Sequence, residues 1–351
     1  MIQDFDIPHL TLMAKRRTIP ISVLIEVCYT CNQNCVHCCL ADHTRKGLSL
    51  RQYESLFNQL VDAGTLFVIL TGGEPFSRPD FMDIIRAARR RRLSVTVFTN
   101  GTLLTSAMID GLKALHVHEV HVSLYSADPG IHDSITRRRN SFCESLNSIK
   151  ALSEAGVAVR IKCPLTRQAA GGLREVKKLA KQLSVPVQFT NVITSRDDGD
   201  ASTHCLRLGR ESLLDVLTDR EAFPWSKTPV HFRENLDCIP CDTVLNGGAV
   251  GPKGDVYPCN QWQVSGGNVL STPFVDIWRN SAAFVQLRAI RLRDLEKCGT
   301  CELFEFCSRC PGLAGLEDKE PLGCSSAARE VAQVRKQLGI YPVQTNIFSK
   351  V

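Results

Sequence analysis

The chain has 351 residues and a formal net charge of +6, with 44% hydrophobic and 22% charged residues, which is typical of a globular protein of one large or two ordinary domains. No apolar run approaches the roughly 20 residues that cross a bilayer, and residues 1–20 carry scattered charges where a signal peptide has an apolar core. No recognition helix or nucleic-acid motif accompanies the positive charge. We therefore expect a cytoplasmic protein that binds neither a membrane nor nucleic acid.

Short apolar, often β-branched runs alternate with amphipathic stretches through the first part of the chain. The predicted strands are Ile21–Val27, Leu66–Leu70, Leu93–Phe98, Glu119–Leu124, Val157–Lys162 and Val185–Phe189. The predicted helices are Leu50–Ala63, Asp80–Arg91, Ser106–Leu115, Ser141–Ala155 and Leu173–Leu183, with helix C-caps at Gly64 and Gly156. Six strands joined by helices imply a parallel α/β sheet, whose active site is expected at the carboxyl ends of the strands.

Sixteen cysteines are the most unusual feature of the composition. A secreted disulfide scaffold would show many short loops and little alternation of helices and strands, so metal binding in a reducing compartment is the better interpretation.

Three of these cysteines, Cys31, Cys35 and Cys38, form a C-x-x-x-C-x-x-C pattern just after the first predicted strand. Thiolates ligate iron–sulfur clusters, and three of them leave one iron of a 4Fe–4S cubane open to a small ligand. A zinc site is the alternative, but zinc knuckles usually carry a second C-x-x-C or H-x-x-x-H pair nearby. The forty residues after Cys39 contain His43 and no further cysteine.

Glycines and polar residues follow the next strands. Gly72-Gly73-Glu74-Pro75 follows the second strand, where glycines let the backbone approach a ligand closely and Glu74 can accept a hydrogen bond from an ammonium group. Thr99-Asn100-Gly101 ends the third strand, and Ser123 ends the fourth. Alone, Gly-Gly-Glu-Pro is an ordinary turn, but its position beside the cysteine loop favours a ligand site.

Together, the cysteine loop and the Gly-Gly-Glu-Pro turn resemble those of the radical SAM enzymes. The resemblance implies a partial (β/α)6 TIM-like barrel within an α/β fold. It also implies that S-adenosylmethionine chelates the open iron of a 4Fe–4S cluster and is cleaved by one electron to a 5′-deoxyadenosyl radical. By this resemblance, the residues that contact the cofactor are His37, Gly72, Gly73, Glu74, Asn100, Ser123 and Arg196.

The pattern changes after about Phe223, where the alternation stops and cysteines become frequent. Their spacing resembles the SPASM domain, which holds one or two auxiliary 4Fe–4S clusters, although the last two clustered cysteines are separated by two residues and not the usual three. The resemblance assigns a distal cluster to Cys298, Cys301, Cys307 and Cys324, and a proximal cluster to Cys241, Cys259 and Cys310 with Cys238 as fourth ligand. A pair of zinc sites is the alternative.

Four regions are therefore expected: an N-terminal extension over 1–20, the partial barrel over 21–222, the SPASM domain over 236–325, and a C-terminal helix and tail over 326–351. The boundary between the two domains is placed near 220–236. The remaining cysteines are interpreted as buried thiols, at Cys28, Cys39, Cys143, Cys163 and Cys205.

Three segments resemble maturases of ribosomally made peptides: Ser123-Leu-Tyr-Ser, Arg196-Asp-Asp-Gly-Asp, and Cys307-Ser-Arg-Cys-Pro-Gly. This resemblance implies an oxidative C–S or C–C crosslink in a precursor peptide and an electron donor of the flavodoxin or ferredoxin type. Many such maturases carry a leader-binding winged-helix domain at the N-terminus, whereas thirty residues precede Cys31 here. We therefore expect a separate leader-binding protein or direct contact with arginines.

The arginines cluster at Arg86, Arg89–Arg92 and Arg137–Arg139. Two interpretations are open: solvated helix ends and loops, or a docking surface for an acidic leader peptide. Residues 137–140 stand where many maturases carry glycine, which suggests a local surface specific to the substrate or partner.

Other functions remain open from the sequence. A tetrapyrrole-tailoring enzyme of haem biosynthesis would share both domains and lack the leader-binding domain. A sulfatase-maturing enzyme typically has an aspartate base where this chain has Asn260, an epimerase would leave the hydrogen count unchanged, and a non-enzymatic scaffold would need no cofactor turn. No general base can be selected, and the candidates near the expected cavity are His121, Tyr125, Tyr257 and Asn260.

Overall fold

The computed structural model describes residues 7–229 and 236–343. The helices are α1 Ile7–Arg17, α2 Leu50–Asp62, α3 Phe81–Arg90, α4 Ser106–Ala114, α5 Pro129–Thr136, α6 Ser141–Glu154, α7 Leu173–Gln182, α8 Arg210–Thr218, α9 Thr243–Asn246, α10 Phe274–Asn280, α11 Ala282–Ala289, α12 Glu296–Gly299, α13 Pro311–Glu317 and α14 Ser326–Leu338. The strands are β1 Ser22–Cys28, β2 Phe67–Gly72, β3 Ser94–Thr99, β4 Glu119–Ser123, β5 Val159–Pro164, β6 Val187–Thr190, β7 Trp225–Ser226, β8 Gly247–Val250, β9 Asp255–Tyr257, β10 Gly267–Asn268 and β11 Tyr341–Pro342.

The main sheet confirms the predicted α/β fold. Strands β1 to β6 lie side by side in sequence order and pair in parallel. All six predicted strands are present, and each end lies within two residues of its predicted position. Four ends shift by two residues, two of them at Val157 and Val185, which are buried but precede the hydrogen-bonded ladder.

The sheet continues into the cysteine-rich part of the chain. Strand β8 pairs in parallel with the other side of β1, with Gly247 opposite Ser22, and β9 and β10 extend the sheet antiparallel. The sequence did not indicate this pairing. Barrel and cysteine-rich part thus share one hydrogen-bonded sheet. The domain limits stay a prediction, and residues 230–235 of the expected boundary lie outside the described residues.

Side chains alternate between the two faces of the parallel strands. Val23, Ile25, Val97 and Ile161 are buried in the core that the helices cover. The opposite face, which we call the inner face, carries partly exposed polar and aromatic side chains, among them Glu26, Thr96, Phe98, His121, Ser123, Arg160 and Lys162. A half-open polar face at the centre of a parallel sheet is suited to hold ligands.

The predicted helices are present, each ending within a residue or so of its expected end because the outermost residues act as caps. The predicted caps Gly64 and Gly156 have left-handed backbone angles, with φ of +93° and +76°. The sequence analysis did not predict helix α5, which begins at Pro129. In the structure Pro129 occupies the first helical turn, where proline is tolerated, and the Asp128 carboxylate accepts from the Ile131 N–H at 2.9 Å.

Several arginines of the first cluster serve the fold. Arg89 donates to the carbonyls of Leu115 and Leu93 at 2.8 and 2.6 Å, and Arg91 donates to the Ala87 carbonyl at 3.0 Å. These bonds favour the structural interpretation of this cluster over a docking surface.

Helix α1 is attached to the cysteine-rich part by a buried ion pair. The Lys15 ammonium contacts the Asp242 carboxylate, and both side chains are only 7% exposed. Asp242 directly follows Cys241, so this pair fixes the position of a predicted cluster ligand.

Replacing Asp242 by Asn is expected to destabilise the protein by about 3–5 kcal/mol, because the variant removes the carboxylate that the buried Lys15 ammonium contacts. Anaerobic urea denaturation measures the change. Asp110→Asn, at an exposed position of α4, is the matched control and should shift stability by less than about 0.5 kcal/mol. Equal stability of the two variants would contradict this role for the pair.

Candidate cofactor site and cysteine groups

The cysteine loop follows β1 and is held from two sides. The Tyr29 N–H donates to the Arg45 carbonyl at 2.7 Å, which closes the base of the loop. The N–H groups of Asn34 and Val36 donate to the carbonyls of Thr136 and Ile135, at 3.2 and 2.9 Å. The carboxyl end of α5 therefore supports the middle of the loop, a contact that the sequence did not reveal.

The loop brings the thiols of Cys31, Cys35 and Cys38 close enough to influence one another. Burial raises the pKa of Cys35 to about 12, and the charges of Cys38 and Cys31 add to this shift. Burial also raises the pKa of Cys31 to about 11. Three converging thiols that ionise only at high pH fit ligands that lose their protons when a metal binds.

Gly72 and Gly73 let the turn after β2 lie directly on the cysteine loop. A Cβ atom on Gly72, whose φ is +138°, would lie 2.0 Å from the Cys28 carbonyl oxygen, and one on Gly73 would lie 2.4 Å from that of Thr30. The close approach that was predicted for a ligand is therefore made here to the chain itself, and contact with the cofactor stays a prediction.

The carboxylate of Glu74 is fully buried beside this turn. One oxygen accepts from the Phe76 N–H at 3.0 Å and the Thr99 hydroxyl at 2.8 Å, and the other accepts from the Asn100 N–H at 2.7 Å. Burial raises the pKa of Glu74 to about 7, against the effect of these hydrogen bonds. These hydrogen bonds connect the end of β2 to the end of β3 through Glu74. The bond from Glu74 to an ammonium group stays a prediction.

Asn100 links the end of β3 to the cysteine loop. Its side-chain amide donates to the Asn32 side chain at 2.8 Å and lies 3.9 Å from the Cys31 sulfur. Its oxygen accepts from the Thr102 N–H at 2.9 Å. Asn100 is therefore placed beside a predicted ligand, as expected for a residue near the cofactor.

An aromatic stack lies on the other side of the loop. Tyr125 packs edge-on against His37 at 4.6 Å and stacks on His132 at 5.3 Å, measured between ring centroids. The Tyr125 hydroxyl interacts with Ser123 and Cys35. Burial lowers the pKa of both His37 and His132 to about 4, so both rings are neutral. The Nδ1 atom of His37 is buried without a hydrogen bond among the described residues, which suits a site awaiting a polar ligand.

Arg196 approaches the loop from the turn after β6. The Asp197 N–H donates to the Cys39 carbonyl at 2.8 Å, and its carboxylate accepts from the Ala41 N–H at 2.9 Å. Burial raises the pKa of the Cys38 thiol, and the nearby Arg196 charge opposes part of this rise. The predicted residue is therefore beside the third cysteine, and its guanidinium lies 3.4 Å from Asp200.

The predicted auxiliary ligands fall into two groups. In the distal group, the thiols interact electrostatically with one another; its members are Cys298, Cys301, Cys307 and Cys324. In the proximal group, the same holds for Cys241, Cys259 and Cys310. Burial and the Asp237 charge raise the pKa of the Cys238 thiol, and none of the other three thiols contributes to this shift. The fourth proximal ligand stays a prediction.

The proximal group and the cysteine loop lie at opposite ends of β1. Cys31 follows the carboxyl end of β1, whereas Cys241 precedes α9, which runs directly into the start of β8. Because β8 is parallel to β1 and β9 is antiparallel, Cys259 also lies at the amino end of β1. The inner face extends between the two groups.

All sixteen cysteines are free thiols. Among residues 7–229 and 236–343, no three His, Cys, Asp or Glu side chains converge closely enough to hold a single metal ion. The irons of a cubane sit at separate corners and take thiolates from a wider spread. Of the remaining cysteines, Cys28 and Cys163 are buried as predicted. The prediction is wrong for Cys143 and Cys205, which are exposed. The surface of Cys39 is also exposed, yet burial raises the pKa of its thiol to about 12, so this sulfur lies in an enclosed position beside Cys38.

The candidate bases differ in setting. His121 lies on the inner face, bonds to Glu119 and stacks on Phe98 at 4.7 Å. Tyr257 is partly buried, and Asn260 is exposed beside Cys259. No helix among the described residues is long and apolar enough to span a membrane.

Residues 137–140 contain two left-handed positions, Arg137 with φ of +52° and Asn140 with φ of +66°. The glycine expected there from maturases would adopt this backbone without strain. Arg138 pairs with Glu144 at 3.0 Å, so part of this arginine group is also used within the fold.

Comparison with known proteins agrees with this architecture. The chain matches the radical SAM superfamily over residues 25–166 and the iron–sulfur cluster-binding SPASM domain over residues 238–311. An AdoMet-dependent heme synthase of Methanosarcina barkeri is 27% identical, covering 82% of this chain and 90% of its own length. The mycofactocin maturase MftC of Mycobacterium tuberculosis is 29% identical, and the match covers 82% of this chain and 77% of MftC. Streptococcus suis SuiB, in a crystal structure with its precursor peptide SuiA, has a similar fold, with a TM-score of 0.69 at 18% identity over 92% of this chain and 79% of SuiB.

The chain therefore belongs to the radical SAM enzymes with a SPASM domain. Its cofactors are a 4Fe–4S cluster with S-adenosylmethionine and auxiliary iron–sulfur clusters. The cysteine loop, the neutral His37 ring and the two further thiol groups fit these cofactors.

Glu74→Gln is expected to destabilise the protein by about 1–3 kcal/mol, because the amide would place N–H groups against backbone and hydroxyl donors. Loosening of the β3 end should also weaken S-adenosylmethionine binding. Urea denaturation and equilibrium dialysis measure the two effects. Glu154→Gln, exposed at the end of α6, is the control. Wild-type stability and binding in Glu74→Gln would refute the anchoring role.

Proposed function

We propose that the protein is a radical SAM oxidoreductase that modifies a ribosomally made precursor peptide, forming an oxidative C–S or C–C crosslink. The observation that carries this proposal is the division of eleven candidate ligands around one sheet: three at the carboxyl end of β1 and the rest in the SPASM region. Loss of two hydrogens from a substrate requires both a hydrogen acceptor and a route for a second electron, and separate cysteine groups supply positions for both.

When bound, S-adenosylmethionine on the cluster supplies a radical able to abstract hydrogen from an unreactive C–H bond. The chain positions this chemistry. Asn100 and the aromatic stack of His37, Tyr125 and His132 border the cysteine loop on two sides. Glu74 fixes the strand ends that carry these contacts. The inner face is where a substrate reaches the same carboxyl strand ends.

The comparisons support a peptide substrate in two ways. MftC is named a maturase and covers most of this chain, and SuiB shares the fold and is bound to a precursor peptide in its crystal structure. A flavodoxin or ferredoxin would supply electrons, and a separate small protein would present the leader. The free thiols suit a reducing compartment such as the cytoplasm.

Anaerobic co-expression with each short peptide encoded beside the gene tests the proposal by mass spectrometry. We expect the peptide to lose hydrogens in pairs in the presence of the wild-type enzyme. Cys35→Ala should abolish this loss together with 5′-deoxyadenosine formation, whereas Cys39→Ala, next to the third predicted ligand, should retain both. Deuterium uptake without loss of mass would indicate epimerisation. An unmodified peptide with intact cofactor cleavage would contradict a peptide substrate.

Cys307→Ala separates cofactor cleavage from product formation. Cys307 belongs to the distal group and not to the cysteine loop, so we expect 5′-deoxyadenosine to form while the yield of crosslinked peptide falls at least tenfold. Iron content should also fall. Cys205→Ala, at an exposed thiol, is the control. Wild-type product yield in Cys307→Ala would show that the distal group is dispensable.

Tetrapyrrole tailoring is the second candidate, because relatives named AdoMet-dependent heme synthase are 27% identical over 82% of this chain. Incubation with an iron tetrapyrrole that carries propionate side chains distinguishes the two. Shortened side chains on the tetrapyrrole, with no change in any co-expressed peptide, would establish this alternative.

A further inference from the structure

Lys162 occupies the inner face near the carboxyl ends of the strands. It is the fourth residue of β5 and pairs in register with Ser123, the last residue of β4. Ser123 interacts in turn with the Tyr125 hydroxyl, which reaches Cys35. Lys162 is therefore one strand away from the residues that border the cysteine loop, and it faces the space where a substrate would meet the radical.

The charges around Lys162 do not balance. Arg160 and His121 both bond to the single carboxylate of Glu119, with Arg160 at 3.0 Å. Burial lowers the pKa of His121, which leaves its ring largely neutral. Both partners of Glu119 are therefore accounted for, and the Lys162 ammonium forms no ion pair or hydrogen bond with the described residues.

The Lys162 ammonium lies over the Phe98 ring, 4.3 Å from the ring centroid. A ring face attracts a cation but accepts no strong hydrogen bond, so the three N–H donors of the ammonium remain for a ligand. A half-buried cation pays a desolvation cost that an anionic ligand would relieve. One cation beside a satisfied ion pair matches one carboxylate better than a doubly charged phosphate.

We propose that Lys162 binds a carboxylate of the substrate, and that this contact positions the reacting C–H bond below the cysteine loop. The inference rests on the proposed function and deepens it: the precursor peptide presents an Asp or Glu side chain, or its C-terminal carboxylate, to the inner face. A tetrapyrrole propionate has the same chemistry, and the carboxylate of S-adenosylmethionine is a third source, so the test must separate all three.

Binding to the anaerobically reconstituted full chain with S-adenosylmethionine provides that test. The probe is the precursor peptide encoded beside the gene, made with free carboxylates and with each carboxylate replaced in turn by a carboxamide. Fluorescence anisotropy compares wild type, Lys162→Met, Lys162→Arg and the control Lys150→Met, which removes an exposed cation from α6. Equilibrium dialysis measures S-adenosylmethionine without peptide, and the iron tetrapyrrole is titrated in parallel.

We expect Lys162→Met to lower the affinity for the peptide with free carboxylates by about tenfold or more, which is the loss typical of one charge-assisted hydrogen bond. One carboxamide peptide should bind wild type and Lys162→Met equally weakly, which identifies the carboxylate. Lys162→Arg should restore part of the affinity, and Lys150→Met should bind as wild type does.

Three results would overturn the inference. If wild type and Lys162→Met bind every peptide with the same affinity, Lys162 does not contact a carboxylate of the peptide. Loss of S-adenosylmethionine binding in Lys162→Met would assign Lys162 to the cofactor. If Lys162→Met binds the iron tetrapyrrole more weakly than wild type but binds the peptide equally well, Lys162 would contact a propionate of the tetrapyrrole instead. Failure of the proposed function is seen separately, as a peptide whose mass never changes.

Discussion

The buried carboxylate of Glu74 is the interaction on which the candidate site depends. It accepts hydrogen bonds from two backbone N–H groups and one hydroxyl, drawn from the ends of β2 and β3. A fully buried carboxylate is costly unless such donors satisfy it, so these bonds also hold the strand ends in one arrangement. Asn100, whose N–H is one of the donors, then directs its side chain to Asn32 and the Cys31 sulfur. The cysteine loop thus takes its position partly from a residue that is not a ligand.

Burial has a second consequence at the cysteine loop. The same low-polarity surroundings that raise the pKa of Cys31 and Cys35 also keep His37 and His132 neutral. Without metal, the loop therefore carries little charge despite its many polar groups. Burial makes it costly to ionise these thiols, and a positively charged metal centre offsets that cost because it stabilises the thiolate form. The site is consequently built for a resident metal group.

Local patterns predicted most of the sheet but not its extension. Short apolar runs and amphipathic stretches predicted six strands and five helices. The resemblance of the cysteine spacing to the SPASM domain predicted the distal group, whose thiols interact with one another in the structure. The pairing of Gly247 with Ser22 joins residues far apart in sequence, and no local signal marks it. Helix α5 was hidden because Pro129 reads as a turn unless Asp128 is recognised as its cap. Lys162 was read only as the end of a strand, since its isolation from carboxylates depends on which neighbours Glu119 has already engaged.

The shared sheet also explains how one substrate could meet two redox groups. Strand β1 has seven residues, so the cysteine loop and the proximal thiols lie about 20 Å apart along the strand direction. The inner face, with His121 and Lys162, occupies the interval. A substrate held there would have the hydrogen-abstracting site at one end and an electron acceptor at the other, which net two-electron oxidation requires. The pairing of β8 with β1 and the contact of Lys15 with Asp242 hold the two groups to one sheet and set this separation. The fixed spacing limits the reacting part of the substrate to a segment that fits between the two groups.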